Sequence, residues 1–77
     1  MTAPAVPLLN VDPEILGGKP VFAGTRVPAR TLPDWLAGGY TLDEFLDNFP
    51  SVSREQATRF IAEGALLLLE RYGAPVT

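Results

Sequence analysis

The stretch from Ser53 to Arg59 carries the side chains with the clearest chemistry, at the predicted start of a helix. Its candidate DNA-contacting residues are Ser53, Arg54, Gln56 and Arg59. Arginine pairs well with guanine and glutamine with adenine, and residues near the start of a recognition helix reach base edges in the major groove. The residue types and their spacing therefore predict contact between this helix and DNA bases.

A different interpretation of the same stretch needs no DNA. Ser53 and Gln56 would only cap the helix, and the two arginines would be solvated or paired with nearby acids. The neighbouring acids are Asp47, Glu55 and Glu63. Both interpretations stay open at this point.

The interval between Glu14 and Asp34 is the basic part of an acidic chain. It contains three of the six cations, Lys19, Arg26 and Arg30, and no carboxylate, while the net charge of the whole chain is -3. Cations on turns can approach a nucleic-acid backbone closely, so these three are predicted to contact phosphates. The alternative is that Arg26 pairs with Asp12 or Asp34 and holds the segment to the helices.

No set of residues points to catalysis, a metal or a cofactor. The chain has no histidine and no cysteine, which removes imidazole and thiolate chemistry and Cys/His zinc sites. The nine carboxylates are spread along helix starts without a polar partner at a fixed offset. The Gly18-Lys19 pair lacks the flanking residues of a phosphate-binding loop, because Pro13 and Pro20 stand in their places. We therefore predict no catalytic residue, no bound metal and no cofactor.

Three helices and a small β hairpin are predicted to position the candidate residues. The hairpin is expected over Val21–Val27, with Gly24 in the turn. Thr31 is the predicted N-cap of the first helix, and capping boxes at residues 41–44 and 53–56 open the second and third. This order matches a helix-turn-helix domain, with a generic three-helix bundle as the alternative.

The third helix has more apolar residues than one core can cover. Helical spacing predicts a buried face made of Ala57, Phe60, Ile61, Ala65, Leu68 and Tyr72. Because successive residues step by about 100° around a helix, the four consecutive leucines 66–69 cannot all lie on that face. Ala62, Leu66 and Leu69 form a second stripe, predicted to be a homodimer seam or a docking surface for a partner protein. The alternative is that the hairpin or the N-terminal arm covers this stripe.

A length of 77 residues, 47% of them hydrophobic, is typical of one small domain. We expect residues 1–8 to be a flexible or extended arm and residues 9–77 to be the helix-turn-helix domain. Without disulfides, such a domain often buries more apolar surface in an oligomer, which favours a homodimer. The start of the chain lacks a charged signal region and no apolar run approaches the roughly 18 residues that span a bilayer, so we expect a cytoplasmic protein.

Two segments resemble the domain-of-unknown-function family 433, a group of small bacterial and archaeal proteins. They are DPEILGGKPVFAGTRVP at residues 12–28 and GGYTLDEFLDNFPSVSREQA at residues 38–57. The resemblance depends on the order and spacing of Gly-Lys-Pro at 18–20, Gly-Thr-Arg at 24–26 and Phe-Pro-Ser-Val-Ser at 49–53. It extends over roughly residues 9–70.

The resemblance implies a mainly α, helix-turn-helix (winged-helix-like) fold and the role of an antitoxin in a type II toxin-antitoxin pair. The toxin would be a PIN-like ribonuclease, and the antitoxin would cover its active site and bind its own double-stranded operator DNA. The alternative is a protein-only interaction module, a homodimeric scaffold without DNA binding, whose acidic surface meets a basic partner. Pro33 departs from the helix-forming residue usual in this family and puts the start of the first helix in question.

Overall fold

Two short strands and a 3-10 turn precede three α-helices in the computed structural model, which describes residues 7–73. The elements are β1 Leu9–Asn10, the 3-10 turn Leu16–Gly18, β2 Val21–Phe22, α1 Thr31–Ala37, α2 Leu42–Asn48 and α3 Arg54–Arg71. The predicted fold class is confirmed: the domain is mainly helical, with three helices and a small antiparallel β element before them. The arm expected at residues 1–8 falls outside the described residues except for its last two positions.

The partner of β2 differs from the predicted one. β1 pairs with it antiparallel, with Leu9 opposite Phe22, whereas the sequence predicted a hairpin confined to Val21–Val27. The chain does fold back after β2, because the N-H of Phe22 donates to the carbonyl oxygen of Val27 at 3.0 Å. β2 therefore lies between β1 and the returning segment, and both of its residues are fully buried.

Thr25 holds the turn that follows β2. Its Oγ1 donates to the carbonyl oxygen of Phe22 at 2.8 Å and accepts from the N-H of Val27 at 3.0 Å. The residue is buried, and Gly24 before it has a φ of 76°, a left-handed conformation that glycine adopts without steric cost. The Gly-Thr pair of the Gly-Thr-Arg motif is thus explained by the geometry of this turn.

Both predicted capping boxes are present. Thr41 Oγ1 accepts from the N-H of Glu44 at 3.1 Å, and Glu44 Oε1 accepts from the N-H of Thr41 at 2.9 Å. Ser53 and Gln56 exchange the same two bonds at the start of α3, each at 3.0 Å. Local sequence therefore fixes where α2 and α3 begin, and residues 49–53 form the short connection between them.

α1 begins without a side-chain cap. Thr31, the predicted N-cap, is its first helical residue, and Arg30 stands at the N-cap position with no capping hydrogen bond from its side chain. Pro33 lies in the first turn, where a backbone N-H has no intrahelical partner to lose. The proline is therefore compatible with the helix in which it stands.

The core is a cluster of aromatic and aliphatic side chains between β2 and the inward faces of the helices. Its buried members are Phe22, Ala29, Leu32, Phe45, Val52 and Ala57. The ring of Phe45 lies 4.9 Å from that of Phe49, and the ring of Phe22 lies 5.6 Å from that of Phe60. The ring of Phe22 also lies 6.5 Å from that of Phe45, so aromatic contacts join β2 to α2 and to the first two turns of α3.

The predicted buried face of α3 is confirmed only at its N-terminal end. Ala57 is buried and Phe60 is half-buried, but the prediction was wrong for its four later members, Ile61, Ala65, Leu68 and Tyr72, which are all exposed. The reason is helix length: α1 and α2 have 7 residues each, whereas α3 has 18. At 1.5 Å per residue these are about 10 Å and about 27 Å, so α3 extends beyond the helices that could cover it.

Candidate functional site

The second half of α3 forms the largest concentration of exposed apolar side chains in the described residues. Six of the nine large hydrophobic residues that are exposed between residues 7 and 73 lie at residues 61–72, a segment we call the α3 extension. Leu66 to Leu69 are 42% to 66% exposed. Contiguous exposed apolar surface is typical of a binding surface, whereas isolated exposed leucines need no explanation.

One side of the α3 extension carries the stripe predicted to contact another protein. All three of its residues, Ala62, Leu66 and Leu69, are exposed, and we call them the outer stripe. The β element does not bury them, and the first six residues of the arm lie outside the described range. Leu66 and Leu67 also share a shallow cleft with Glu63 and Glu70, so the rim of this surface is acidic.

Two apolar grooves run along the base of the α3 extension. The α1 groove has a volume of about 320 Å³ and is lined by Leu32, Pro33 and Leu36 of α1 and by Ile61, Gly64 and Ala65 of α3. The second groove, of about 260 Å³, lies against β1 and is lined by Leu8, Leu9 and Leu67 among others. Phe60 and Gly64 line both grooves.

The three cations of the basic interval are exposed but do not form one cluster. Lys19 and Arg30 border the same cleft of about 570 Å³, which has mostly apolar walls that include Phe60 and Pro33. Arg26 lines a different cleft, beside Thr25. The structure therefore brings two of the three predicted phosphate-binding residues together.

The acids proposed to pair with Arg26 are engaged elsewhere. Asp34 forms an exposed ion pair with Arg30 at 3.5 Å, and Asp12 Oδ1 accepts from the N-H of Glu14 at 2.9 Å. The side chain of Arg26 thus does not hold the turn to the helices through either acid. The hydrogen bonds of Thr25 stabilise the turn itself.

The arginines at the start of α3 form ion pairs within the chain. Arg54 pairs with Asp43 of α2, and Arg59 Nε pairs with Glu63 Oε2 at 2.9 Å. Glu63 was among the acids indicated by the sequence, whereas Asp43, eleven residues before its partner, was not. A base contact by either arginine would compete with one of these ion pairs for the same guanidinium group.

Gln56 uses both ends of its amide inside the domain. Its Oε1 accepts from the N-H of Ser53 in the capping box, and its Nε2 donates to the carbonyl oxygen of Ala23 at 2.9 Å. The capping hydrogen bonds predicted for Ser53 and Gln56 are therefore present. The long-range bond to Ala23 was not predicted, because no local pattern indicates it.

Between residues 7 and 73, no three acidic side chains are grouped so that they could hold a metal ion. Within the same range, no helix combines the length and apolar character needed to cross a membrane.

Residues 9–62 match the family model described as "Protein of unknown function (DUF433)". The chain belongs to this family. The DUF433 match includes the β element, α1, α2 and the first half of α3, and it ends before the four leucines. The capping boxes and the Thr25 turn thus lie inside the matched region, and most of the α3 extension lies beyond it.

One relative of this DUF433 chain is the Sinorhizobium fredii (strain NBRC 101917 / NGR234) protein "Uncharacterized protein y4eO". The two are 37% identical over 54 residues, which is 70% of this chain and 24% of the relative. The chain therefore spans about a quarter of the length of the relative that it matches. No solved structure matches the chain.

Proposed function

We propose that this chain is an antitoxin-like helix-turn-helix protein that binds another protein through the outer stripe of α3. The partner we propose is a PIN-like ribonuclease, which the chain neutralises in the cytoplasm by covering its active site. The observation that carries the proposal is the exposure of Leu66 and Leu69 at 42% and 48%, on a helix that extends beyond its own core.

The energy available from this surface supports binding of a protein. Complete burial of a leucine side chain is worth about 1.5 to 3 kcal/mol, so covering the exposed halves of Leu66 and Leu69 contributes roughly 2 kcal/mol. That gain is the size of a hot spot in a protein interface. The acidic rim formed by Glu63 and Glu70 favours a partner whose contact surface carries basic residues around an apolar centre.

The test is coexpression with a PIN-like nuclease, which the proposal expects to be encoded beside this chain. We expect the two proteins to copurify and the nuclease to be inactive in the complex. The variant Leu66→Glu with Leu69→Glu should lose both copurification and inhibition. The matched control is Leu16→Glu, because Leu16 is 44% exposed but lies far along the chain from α3. Unchanged inhibition by the double variant, or failure of the wild-type chain to bind the nuclease, would contradict the proposal.

Operator binding is the second candidate function, and the exposure of Lys19, Arg26 and Arg30 favours it. The ion pairs of Arg54 and Arg59 favour the protein-only alternative instead, because they occupy the arginines best placed for base contact. A salt titration separates the two. A dimer with three phosphate contacts per chain should show a log-log slope of about -5 for duplex DNA, whereas a protein-only module should show no binding even at low salt.

A further inference from the structure

We propose that the α1 groove and the cleft bordered by Lys19 and Arg30 form one site for a free carboxylate with an unbranched hydrocarbon chain, such as decanoate. We call the cleft the basic cleft. Its two cations hold the carboxylate, and the hydrocarbon chain lies along the α1 groove. The groove uses a different side of α3 from the outer stripe, so the site goes beyond the proposed nuclease binding and does not depend on it.

The basic cleft and the α1 groove meet at two shared residues, Pro33 and Phe60. Along α1 the lining runs from Arg30, at the N-cap position, to Leu36, a distance of about 9 Å at 1.5 Å per residue. The two volumes are about 570 Å³ and about 320 Å³. Together they have the size of a small-molecule site, because such sites range from about 300 to 1,000 Å³.

The polar side chains of this site are confined to one end. Among the described residues that line the basic cleft and the α1 groove, only Lys19 and Arg30 have polar side chains. The rest of the lining consists of proline, glycine, alanine, leucine, isoleucine and phenylalanine. Two cations at one end and hydrocarbon along the remaining length match a ligand with an anionic head and an apolar tail.

The walls favour a hydrocarbon chain over a segment of another protein. Pro20, Pro28 and Pro33 have no backbone N-H, and the N-H of Ala29 already donates to the carbonyl oxygen of Pro20 at 2.9 Å. The α1 groove is lined by residues of α1 and α3, and helical backbone groups hydrogen-bond to one another. A bound peptide would therefore leave amide groups without partners, which is costly, whereas a hydrocarbon chain has no such groups.

Both cations of the basic cleft can bind a carboxylate. Lys19 forms no ion pair with an acid of residues 7–73. Arg30 pairs with Asp34 at 3.5 Å, but both side chains are more than half exposed, and exposed pairs are weak. A guanidinium group has five N-H donors, so Arg30 can bind a second carboxylate. The net charge of the chain is -3, and selectivity for an anion is therefore a local property of these two side chains.

Two features of α3 favour the α1 groove as the position of the hydrocarbon chain. Gly64 lines the groove, and a Cβ there would meet nothing within 4 Å. Glycine is unfavourable inside a helix, and here its missing side chain keeps the groove open. The groove against β1 also meets Phe60, but Glu63 lines it, and burying a carboxylate beneath a hydrocarbon chain is costly.

Titration followed by NMR amide chemical shifts tests the anionic head. Decanoate at neutral pH should give saturating shifts centred on Lys19, Phe60 and Gly64. Decyltrimethylammonium has the same chain and the opposite charge, and it should bind at least about tenfold more weakly. General attraction to an acidic chain would produce the opposite preference. Equal or tighter binding of the cation, or no saturating shift with about 5 mM decanoate, would overturn the proposal, since even a weak site has a dissociation constant near 1 mM.

Removal of charge tests the position of the head. Lys19→Gln with Arg30→Gln should weaken decanoate binding at least about tenfold without weakening that of decyltrimethylammonium. Asp34→Asn removes the competing carboxylate and should tighten decanoate binding about twofold. The matched control is Arg26→Gln with Arg71→Gln, which removes the same charge outside the basic cleft and should leave the affinity within about twofold of wild type. An equal loss in this control would overturn the assigned contact.

Chain length and Gly64 test the position of the tail. The affinity should rise about twofold for each methylene added between hexanoate and decanoate, less than the roughly fourfold of complete burial, because the groove is open on one side. Gly64→Leu should fill the groove and weaken decanoate binding at least about tenfold, and the helix should stay intact because leucine is a better helix former than glycine. Thermal unfolding by circular dichroism checks the fold. Unchanged binding of decanoate to a folded Gly64→Leu variant would overturn the proposal.

The outer stripe is the other apolar surface to which a hydrocarbon chain could bind. Leu66→Glu with Leu69→Glu should leave the dissociation constant of decanoate within about threefold of wild type, and a complete loss would overturn the assigned site. The same variant should lose inhibition of the nuclease. Decanoate binding by a chain that never inhibits the nuclease contradicts only the proposed function, and inhibition by a chain that does not bind decanoate contradicts only the carboxylate site.

Two other occupants of the α1 groove give different results. A dimer in sedimentation equilibrium that Gly64→Leu converts to a monomer would show that a second copy of the chain fills the groove. Binding to vesicles of anionic phospholipid without binding to free decanoate would assign the basic cleft to a membrane surface. Either result would overturn the proposal of a free ligand.

Discussion

Gln56 Nε2 donates a hydrogen bond of 2.9 Å to the carbonyl oxygen of Ala23 and so ties the start of α3 to the turn after β2. The two residues are 33 positions apart in the chain. The same side chain closes the capping box with Ser53. A residue whose type suggested adenine contact therefore holds two parts of the domain together.

Substitution of Gln56 should lower the free energy of unfolding more than loss of the Ser53 cap alone. Ser53→Ala removes the cap and should lower the free energy of unfolding by about 1 kcal/mol. Gln56→Ala removes the other bond of the capping box, from the N-H of Ser53 to Gln56 Oε1, together with the bond to Ala23, and should cost about 2 kcal/mol. Urea unfolding followed by fluorescence of Trp35, the single tryptophan, measures both. Thr58→Ala is the exposed control. Equal losses for the two variants would show that the bond to Ala23 contributes nothing.

Thr25 should tolerate loss of its methyl group better than loss of its hydroxyl. Thr25→Val has nearly the same shape but leaves the N-H of Val27 and the carbonyl oxygen of Phe22 without their side-chain partner, at a cost of about 2 kcal/mol. Thr25→Ser keeps both bonds and should cost about 1 kcal/mol or less. Thermal unfolding by circular dichroism compares them. If Thr25→Val were more stable than Thr25→Ser, the hydrogen bonds of the hydroxyl would not be what stabilises the turn.

The ion pair between Arg54 and Asp43 should contribute little to stability. Both side chains are more than half exposed, and exposed pairs are worth about 0 to 1 kcal/mol. Asp43→Asn should change the free energy of unfolding by less than about 0.5 kcal/mol, and the effect should shrink in 1 M salt. Urea unfolding at two salt concentrations checks this. A small change would mean that a ligand can replace Asp43 as the partner of Arg54 with little loss of stability. A decrease in the free energy of unfolding above about 1 kcal/mol would mean that the pair helps to hold α2 and α3 together.

The features predicted correctly from the sequence are those fixed by neighbouring residues. The two capping boxes need only a Ser or Thr and an acceptor three residues later, so their positions followed directly. β1 was missed because two residues are too few to show an alternating pattern, and its pairing with β2 depends on tertiary structure. The Arg54–Asp43 pair was missed because it depends on how α2 and α3 are placed relative to each other.

The exposure of the α3 extension could not be predicted from helical periodicity. The spacing of Ile61, Ala65 and Leu68 marks a face that can be buried, but it carries no information on whether a neighbour reaches that far. In this chain α1 and α2, with 7 residues each, are too short to cover the second half of the 18-residue α3. The same pattern that wrongly predicted a core position for each of these residues therefore marks a surface that the described chain leaves exposed.

Phe45 and the outer stripe should respond in opposite ways to substitution. The ring of Phe45 packs against three others, those of Phe22, Trp35 and Phe49, and is fully buried. Phe45→Ala should lower the free energy of unfolding by about 3 to 5 kcal/mol and Phe45→Leu by about 1 to 2 kcal/mol. A chain of this length has a total free energy of unfolding of only about 4 to 12 kcal/mol. The alanine variant should therefore be largely unfolded, or close to unfolding, at 37 °C.

Leu66→Glu with Leu69→Glu should leave the domain folded, with a change of less than about 1 kcal/mol, because neither side chain contributes to the core. When both variants are measured as monomers at low concentration, the large loss for Phe45→Ala and the small loss for the double variant distinguish the core from the binding surface. A double variant as unstable as Phe45→Ala would mean that the leucines are covered by their own chain. The outer stripe would then have no exposed surface for a partner, and the proposed function would be wrong.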